Sequence, residues 1–381
     1  MKLPVSARAP ESAAAGSQAD AKPAAAFPAA FATAPQVIDA STTAHEVAVA
    51  ELRRLLTAWH HHEPGARLGT DPEELHQLRV TTRRIDAVLG LFKRQLPATL
   101  VRARKGTKAV LRHLGTTRDL DVQLAELAQY CAGLGAEERV AAEPLRVRLE
   151  GERMRARTRM IRALDSEPTR RWLESLTRAT AAGSDTDGSD RAMRVMPQRV
   201  QRRFRKLRKS VGKLRVRSPM DDYHQVRRRA KQLRYATECG ALMFGKSADE
   251  LLKALRRLQN GLGAHQDAYM AQNRLAALAA DPASGLPPAT LFLMGRLAEH
   301  HARITAQTRR TLARSWRKVR GRRWKALRAR LAELRESAAM LSDLLPARAA
   351  RATCDEPLTY ESPETPAGAH ASAPEPRPLR H

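Results

Sequence analysis

Aromatic side chains make up only 4% of this 381-residue chain, and Tyr and Phe together number 11. So few rings leave little capacity for the base stacking on which single-strand nucleic-acid binders rely. No run approaches the roughly 18 consecutive apolar residues of a membrane-spanning helix. Cysteine is scarce as well: Cys131, Cys239 and Cys354 are odd in number, far apart, and in no Cys-x-x-Cys arrangement. That excludes a disulfide framework and a zinc motif and fits a reducing, cytoplasmic setting. The Ala-rich stretch 24–34 is interrupted by Pro28 and follows Glu11 and Asp20, so it is not read as a secretion signal. Sustained period-2 alternation is missing throughout, and no sheet is expected. Acid is also in short supply, with 40 Asp and Glu against 68 Lys and Arg, a net charge of +28.

What remains is helix-forming material. Hydrophobic residues reach 43%, drawn mainly from Leu, Ala, Val and Met, beside abundant Arg and Glu. Residues 1–40 carry no net charge and residues 346–381 carry −1, so the segment between them holds +29. A body this basic repels itself unless a polyanion is present. Both ends are rich in Pro, Ala and Ser without a helical apolar stripe, and 1–40 and 346–381 read as disordered tails. The acidic run Gly183 to Asp190 reads as a linker between a first helical half, 41–182, and a second, 191–345. Pro64-Gly65, Pro97, Gly133 to Gly135, Pro168, Pro219, Gly245 and Pro282 to Pro288 are the expected breaks within the halves.

The halves repeat at an offset of 148 residues, which carries His76 onto His224, Arg79 onto Arg227 and Arg83 onto Lys231. The same shift carries Lys105 onto Lys253, Lys108 onto Arg256, Gly115 onto Gly263 and Asp119 onto Asp267. On a helical wheel Leu75, Leu78, Ile85, Leu89 and Phe92 form one face, with His76, Arg79 and Arg83 as a stripe beside it. His224, Arg227, Lys231 and Arg234 repeat that stripe next to Val226, Leu233, Thr237 and Ala241. Cations flanking an apolar face, rather than opposing it, point to a groove lined between helices. The plain alternative is that the Arg stems border the core and reach outward to solvent.

Further bases follow at Lys105, Lys108 and Arg112, with Lys253 and Arg256 as counterparts and Asn260 in the third place. Later helices add Arg155 and Arg162 in one half and Arg303 and Arg310 in the other. Asp119 and Asp267 are expected to be buried acids that orient these bases, and Gly115 and Gly263 to allow close helix packing. Asp71, with Glu74 three residues on, resembles a capping box.

Two pairs of blocks carry a resemblance. His76-x-x-Arg79-x3-Arg83-Arg84 matches His224-x-x-Arg227-x3-Lys231-x-x-Arg234-Tyr235, and the Leu-Gly run at 114–122 matches that at 262–267. These blocks resemble the CHAD domain, the conserved-histidine α-helical domain, over about residues 42–335. The resemblance implies an all-α fold of two four-helix bundles packed with pseudo-two-fold symmetry around a basic central cavity. It also implies inorganic polyphosphate as ligand and association with polyphosphate granules in bacteria. The chain departs from the family at Asp86, where a basic residue is common. It also lacks the Glu-x-Glu-x-Lys run of the triphosphate-hydrolysing domain often fused to such proteins. Polyphosphate offers charge and no bases, so its recognition calls for Arg and Lys and few aromatics. On this reading His would add a hydrogen bond and gain charge below a pKa near about 6.5.

Other functions are less well supported by the sequence. A structured-RNA binder is the main alternative, yet no recognition motif stands out. Histidines are numerous, but no His-x-x-x-His pair occurs and neighbouring Arg would repel a cation, so no metal and no cofactor are expected. His60 to His62 read as a helix terminus. Gly240 to Ser247 fits the phosphate-loop pattern G-x-x-x-x-G-K-S, which requires a preceding strand. Here a basic helix is expected before it, so the match reads as coincidence and no catalysis is expected.

Overall fold

The computed structural model describes residues 38–39, 41–181 and 191–352, with side chains to 340. The expected linker 183–190, the N-terminal tail before 38 and the C-terminal tail beyond 352 lie outside the described residues, as does Cys354. Every regular element among the described residues is helical: α1 Ala44–Leu68, α2 Pro72–Leu91, α3 Ala98–Cys131, α4 Ala136–Asp165 and α5 Glu167–Ala181 precede the break. After it come α6 Ala192–Lys213, α7 Met220–Cys239, the single turn α8 Ala241–Phe244, α9 Lys246–Ala280, α10 Pro288–Arg320 and α11 Arg322–Ala352. The compact unit ends at Ala339, and only the helical backbone is described beyond Met340. α11 therefore passes Leu345, where the sequence pattern ends the helical region. None of the helices among the described residues is long and apolar enough to cross a membrane.

The repeat is visible in the helix boundaries. Starts at Ala44, Pro72 and Ala98 recur 148 residues later at Ala192, Met220 and Lys246. Each half holds five long helices, one more than the four expected. Thr43 and Arg191, themselves 148 apart, meet in an isolated antiparallel bridge, and Ala192 N donates to Thr42 O at 2.9 Å. α2 also packs on α7, α1 on α6 and α4 on α10. Like meeting like is the contact pattern that a two-fold relation generates.

The apolar stripe of α2 is buried as its periodicity predicts, with Leu78, Ile85, Leu89 and Phe92 fully enclosed. Each such side chain contributes roughly 1.5–3 kcal/mol of gross burial energy. A single core runs through both halves, joined by a smaller cluster around Leu145, Leu149, Met294 and Leu297 where α3, α4, α9 and α10 meet. Most breaks fall where proline and glycine place them, but Pro64-Gly65 does not stop α1. The helix continues to Leu68 and ends at Gly69, whose φ of 72° is left-handed. His60 to His62 consequently lie inside α1 rather than at its terminus. Glu74 is drawn to this helix, where its carboxylate meets His62 Nδ1 at 2.9 Å. The N-cap of α2 is then Asp71 alone, accepting from Glu73 N at 2.8 Å, without the reciprocal bond of a capping box.

Gly106 shows how tightly α3 and α5 fit. A Cβ there would lie 2.6 Å from Trp172 Cδ1, and Trp172 is itself pinned by a 3.0 Å bond from Nε1 to Thr107 Oγ1. Gly106→Ala should therefore destabilise the fold by about 1–3 kcal/mol through overpacking, despite alanine's better helix propensity. Urea denaturation of the variant beside the parent protein tests this, and equal or higher stability would refute the tight α3–α5 fit.

Candidate functional site

α2, α3, α4, α6, α7 and α9 line a cavity of about 1460 Å³. Thirteen Arg and Lys side chains and two His line it, against six carboxylates. The motif stripes of α2 and α7 face each other across it, bringing His76, Arg79 and Arg83 together with His224, Arg227 and Lys231; Lys108 joins them from α3.

Arg79 is the best-anchored cation. Its Nη1 donates to Gly115 O at 2.7 Å and to Asp119 Oδ1 at 3.0 Å. A Cβ on Gly115 would sit 3.2 Å from that same nitrogen. The motif glycine thus makes room for a guanidinium, rather than for the backbone of a packed helix as the sequence suggested. Gly263 stands in the same relation to Arg227, at 3.5 Å from Nη2, but Asp267 lies 3.8 Å from Arg227 and the contact is looser. Asp119 orients Arg79 as expected, but neither it nor Asp267 is a buried acid: their side chains are 64% and 42% exposed. The buried acid is Asp121, whose side chain is 1% exposed and accepts from Arg153 Nε, away from the cavity wall.

Crowded cations perturb one another. Burial, with Arg79 next in effect, lowers Arg83 to about 10. Burial, then Arg83 and Arg227, hold Lys231 well below the usual lysine range. Desolvation on the cavity wall raises Asp267, part of whose side chain still meets solvent, even though Arg227 and Lys231 oppose the shift. Burial and then the charge of Asp267 raise Glu126 to about 7. His76 is lowered to about 4, first by burial and then by Arg118. It is therefore neutral at pH 7 and remains so well below 6.5, where the sequence reading has it gaining charge. Its repeat mate His224 meets a neutral partner instead, with Nδ1 2.8 Å from Gln266 Oε1. Excess positive charge held in a partly desolvated space is poised to accept an anion.

Nine expected site residues are absent from the cavity wall. Lys105 and Arg112 lie beside the line of α3 that faces inward through Arg104, Lys108 and Arg118. Arg155, Arg162 and Arg310 are exposed elsewhere, and Arg256 stays outside although its mate Lys108 lines the wall. Lys253 pairs with Glu250 at 3.0 Å and Arg303 with Glu299 at 2.9 Å. Arg234 is buried in the α2–α7 seam, where it and Arg84 approach the Glu238 carboxylate at 3.6 and 3.5 Å. Asp86, at the position equivalent to Arg234, accepts from Arg104 Nε at 2.8 Å and neutralises a cation of the wall.

Arg104, Arg118, Arg202, Arg203, Lys206, Arg228, Arg229 and Arg274 also line the cavity, although the repeated motif stripes do not mark them. The α6 members had a signal, since 202–209 is a dense basic run interrupted only by Phe204 and Leu207. Among the described residues no group of three or more His, Cys, Asp or Glu is placed to hold a metal. The phosphate-loop lookalike is helix, one turn, helix: Gly245 has φ 58° and ψ −148°, and Ser247 Oγ donates to Phe244 O at 2.8 Å. It lacks the strand that the motif needs.

The family model for the CHAD domain matches residues 50–276. No curated protein matches the chain. Among solved structures, the CHAD domain from the plant Ricinus communis aligns with a TM-score of 0.61 at 24% identity, covering 74% of this chain and 93% of that one. PptA from Streptomyces chartreusis aligns with a TM-score of 0.59 at 20% identity, over 72% of this chain and all (100%) of that one. At these identities the two likenesses show the fold. The contrast between His76 and His224 is directly testable. Arg118→Gln installs in the first half the residue type found at Gln266, and should raise the His76 pKa from about 4 without fully restoring the ordinary value, because burial is the larger cause. An NMR titration of the ring protons reads this, and an unmoved pKa would show that Arg118 does not act on His76.

Proposed function

The chain belongs to the CHAD domain family, and from that premise we propose that its cavity holds a stretch of linear inorganic polyphosphate, bound without turnover. In the cell this would place the protein at polyphosphate granules. The observation that carries the proposal is the convergence of thirteen cations on one cavity with six carboxylates to offset them. An array with this surplus of positive charge is costly to maintain empty and favourable once phosphates enter.

The composition of the wall favours phosphate over nucleotide. Tyr235 is the single aromatic in the lining, too little for a stacking platform. Arg79, Arg83 and Arg227 offer planar forks for phosphate oxygens, while Lys108, Lys206 and Lys231 offer compact charges. His76 and His224 would donate hydrogen bonds to phosphate oxygens. Binding should be driven largely by counterion release and weaken steeply with salt.

A competition titration tests the ligand class. Long-chain polyphosphate should resist displacement by RNA or duplex DNA at equal phosphate concentration near physiological salt, whereas ready displacement by RNA would favour a nucleic-acid binder. The double variant Arg79→Ala with Arg227→Ala should bind polyphosphate at least about tenfold more weakly, and with a salt slope shallower by roughly 1–1.5, at unchanged helicity. Unchanged affinity would refute the cavity assignment. Proton linkage gives an independent check. Lys231 and His76 are lowered in the free protein, and a polyanion beside them favours their charged forms. Binding should therefore take up protons and tighten as pH falls from about 8 towards 6. Calorimetry in buffers of differing ionisation heat measures the uptake, and net proton release would contradict the proposed contacts.

A further inference from the structure

Between Glu299 and Glu333 the chain carries twelve Arg and Lys and no acid. This segment covers most of α10 and the start of α11. None of its residues lines the cavity, and it lies beyond the 50–276 match to the family. We propose that it forms a second, external polyanion-binding track, so that the protein holds two polyphosphate segments at once. The choice of ligand rests on the reading of the cavity given above; the existence of the track does not.

Four of the twelve have protein partners. Arg303 pairs with Glu299, Arg323 approaches Glu250, Arg330 pairs with Glu333, and Arg309 donates to His265 and Val216 O. The other eight, among them Arg310, Arg314, Arg317, Lys318, Lys325 and Arg328, are exposed and form no ion pair with any described residue. Arg310, Arg314 and Arg317 fall at i, i+4 and i+7 on one face of α10, and Lys318 is one turn from Arg314. A helix that needs charge only for solubility intersperses acids, as this protein does elsewhere. Arg146 has Glu143 and Glu150, and Arg170 has Glu167 and Glu174. Like charges one turn apart oppose helix formation, and the track repeats them without relief.

Its support is rigid. Trp324 stacks on Phe204 with ring centres 3.6 Å apart and planes 3° from parallel, and Trp316 lies 5.8 Å from the same ring. These aromatics are buried beneath the cations and offer no face to a base, which points to a base-free phosphate chain rather than single-stranded nucleic acid. Two separate sites on one molecule would let it join polyphosphate chains together.

The test compares full-length proteins titrated with a short-chain polyphosphate, read by equilibrium dialysis. The parent should bind two molecules. A track variant (Arg310→Gln, Arg314→Gln, Arg317→Gln, Lys318→Gln) should bind one, as should a cavity variant (Arg202→Gln, Lys206→Gln, Arg227→Gln). With long-chain polyphosphate, the parent should scatter light as chains are joined, and either variant should lose this at least about tenfold. A stoichiometry of one in the parent, or an unaltered track variant, overturns the inference. If the cavity variant alone loses all binding, the track is refuted and the cavity reading stands; if it loses none, the cavity reading fails and the track remains. Occupancy of the track by duplex RNA in preference to polyphosphate would overturn the assigned ligand.

Discussion

Repetition concentrates like charge. When a sequence is duplicated and the copies meet face to face, each residue near the junction approaches its own mate. Here that brings Arg83 to Lys231 and Asp119 to Asp267, with Arg79 and Arg227 on the same cavity wall. An acid–base pair would annul its charges in such an arrangement, whereas a basic stripe doubles them. The depressed pKa values of Arg83 and Lys231 follow from burial and this convergence. Much of the fold serves to hold the stripes in place against it: a continuous apolar core behind them, and the Thr43–Arg191 bridge between the starts of α1 and α6.

The halves are not equal copies, and the differences fall on the site. Arg118 faces His76, while Gln266 takes its place opposite His224. Arg79 is tied to both Gly115 and Asp119 within 3.0 Å, while the corresponding Arg227 and Asp267 stand 3.8 Å apart. Asp86 draws in Arg104, which has Leu252 as its mate, while Arg234 withdraws into the α2–α7 seam. α6 places Arg202, Arg203 and Lys206 on the cavity, where α1 contributes nothing. Each exchange leaves the helices in place and alters the wall, so the two halves contribute different cations to the cavity.

The helices and the repeat were legible in the sequence because periodicity and proline placement are local signals. One offset of 148 predicts the starts of α6, α7 and α9 from those of α1, α2 and α3. Pro64-Gly65 misled because a helix can carry a proline where neighbouring packing holds it, and here Glu74 closes over Gly65. The central stripe was legible for a similar reason, since His76, Arg79 and Arg83 flank an apolar face whose burial sets their direction. Arg234 and the outer α3 and α9 residues were not. Which side of a long helix turns inward depends on the partner helix, and Lys105 and Lys108 differ in this by one step round α3. The buried Asp121 and the exposed Asp119 are two residues apart, and composition alone could not separate them.

The carboxylates of the cavity fit the same logic. An array of cations without any counter-charge would destabilise the unliganded fold, and Asp119 and Asp86 relieve this by holding Arg79 and Arg104. Those acids would in turn repel an entering polyanion. Asp267 and Glu126 stand differently, because desolvation on the cavity wall has already raised both, Glu126 to about 7. An approaching phosphate would raise a carboxylate further, so on the proposed reading these two would take up protons and remain in place as neutral donors. Lys231 and His76 would gain protons in the same event. On the proposed reading, the cavity would thus become more positive as polyphosphate arrives without moving a helix, which suits a wall built from side chains fixed on rigid elements.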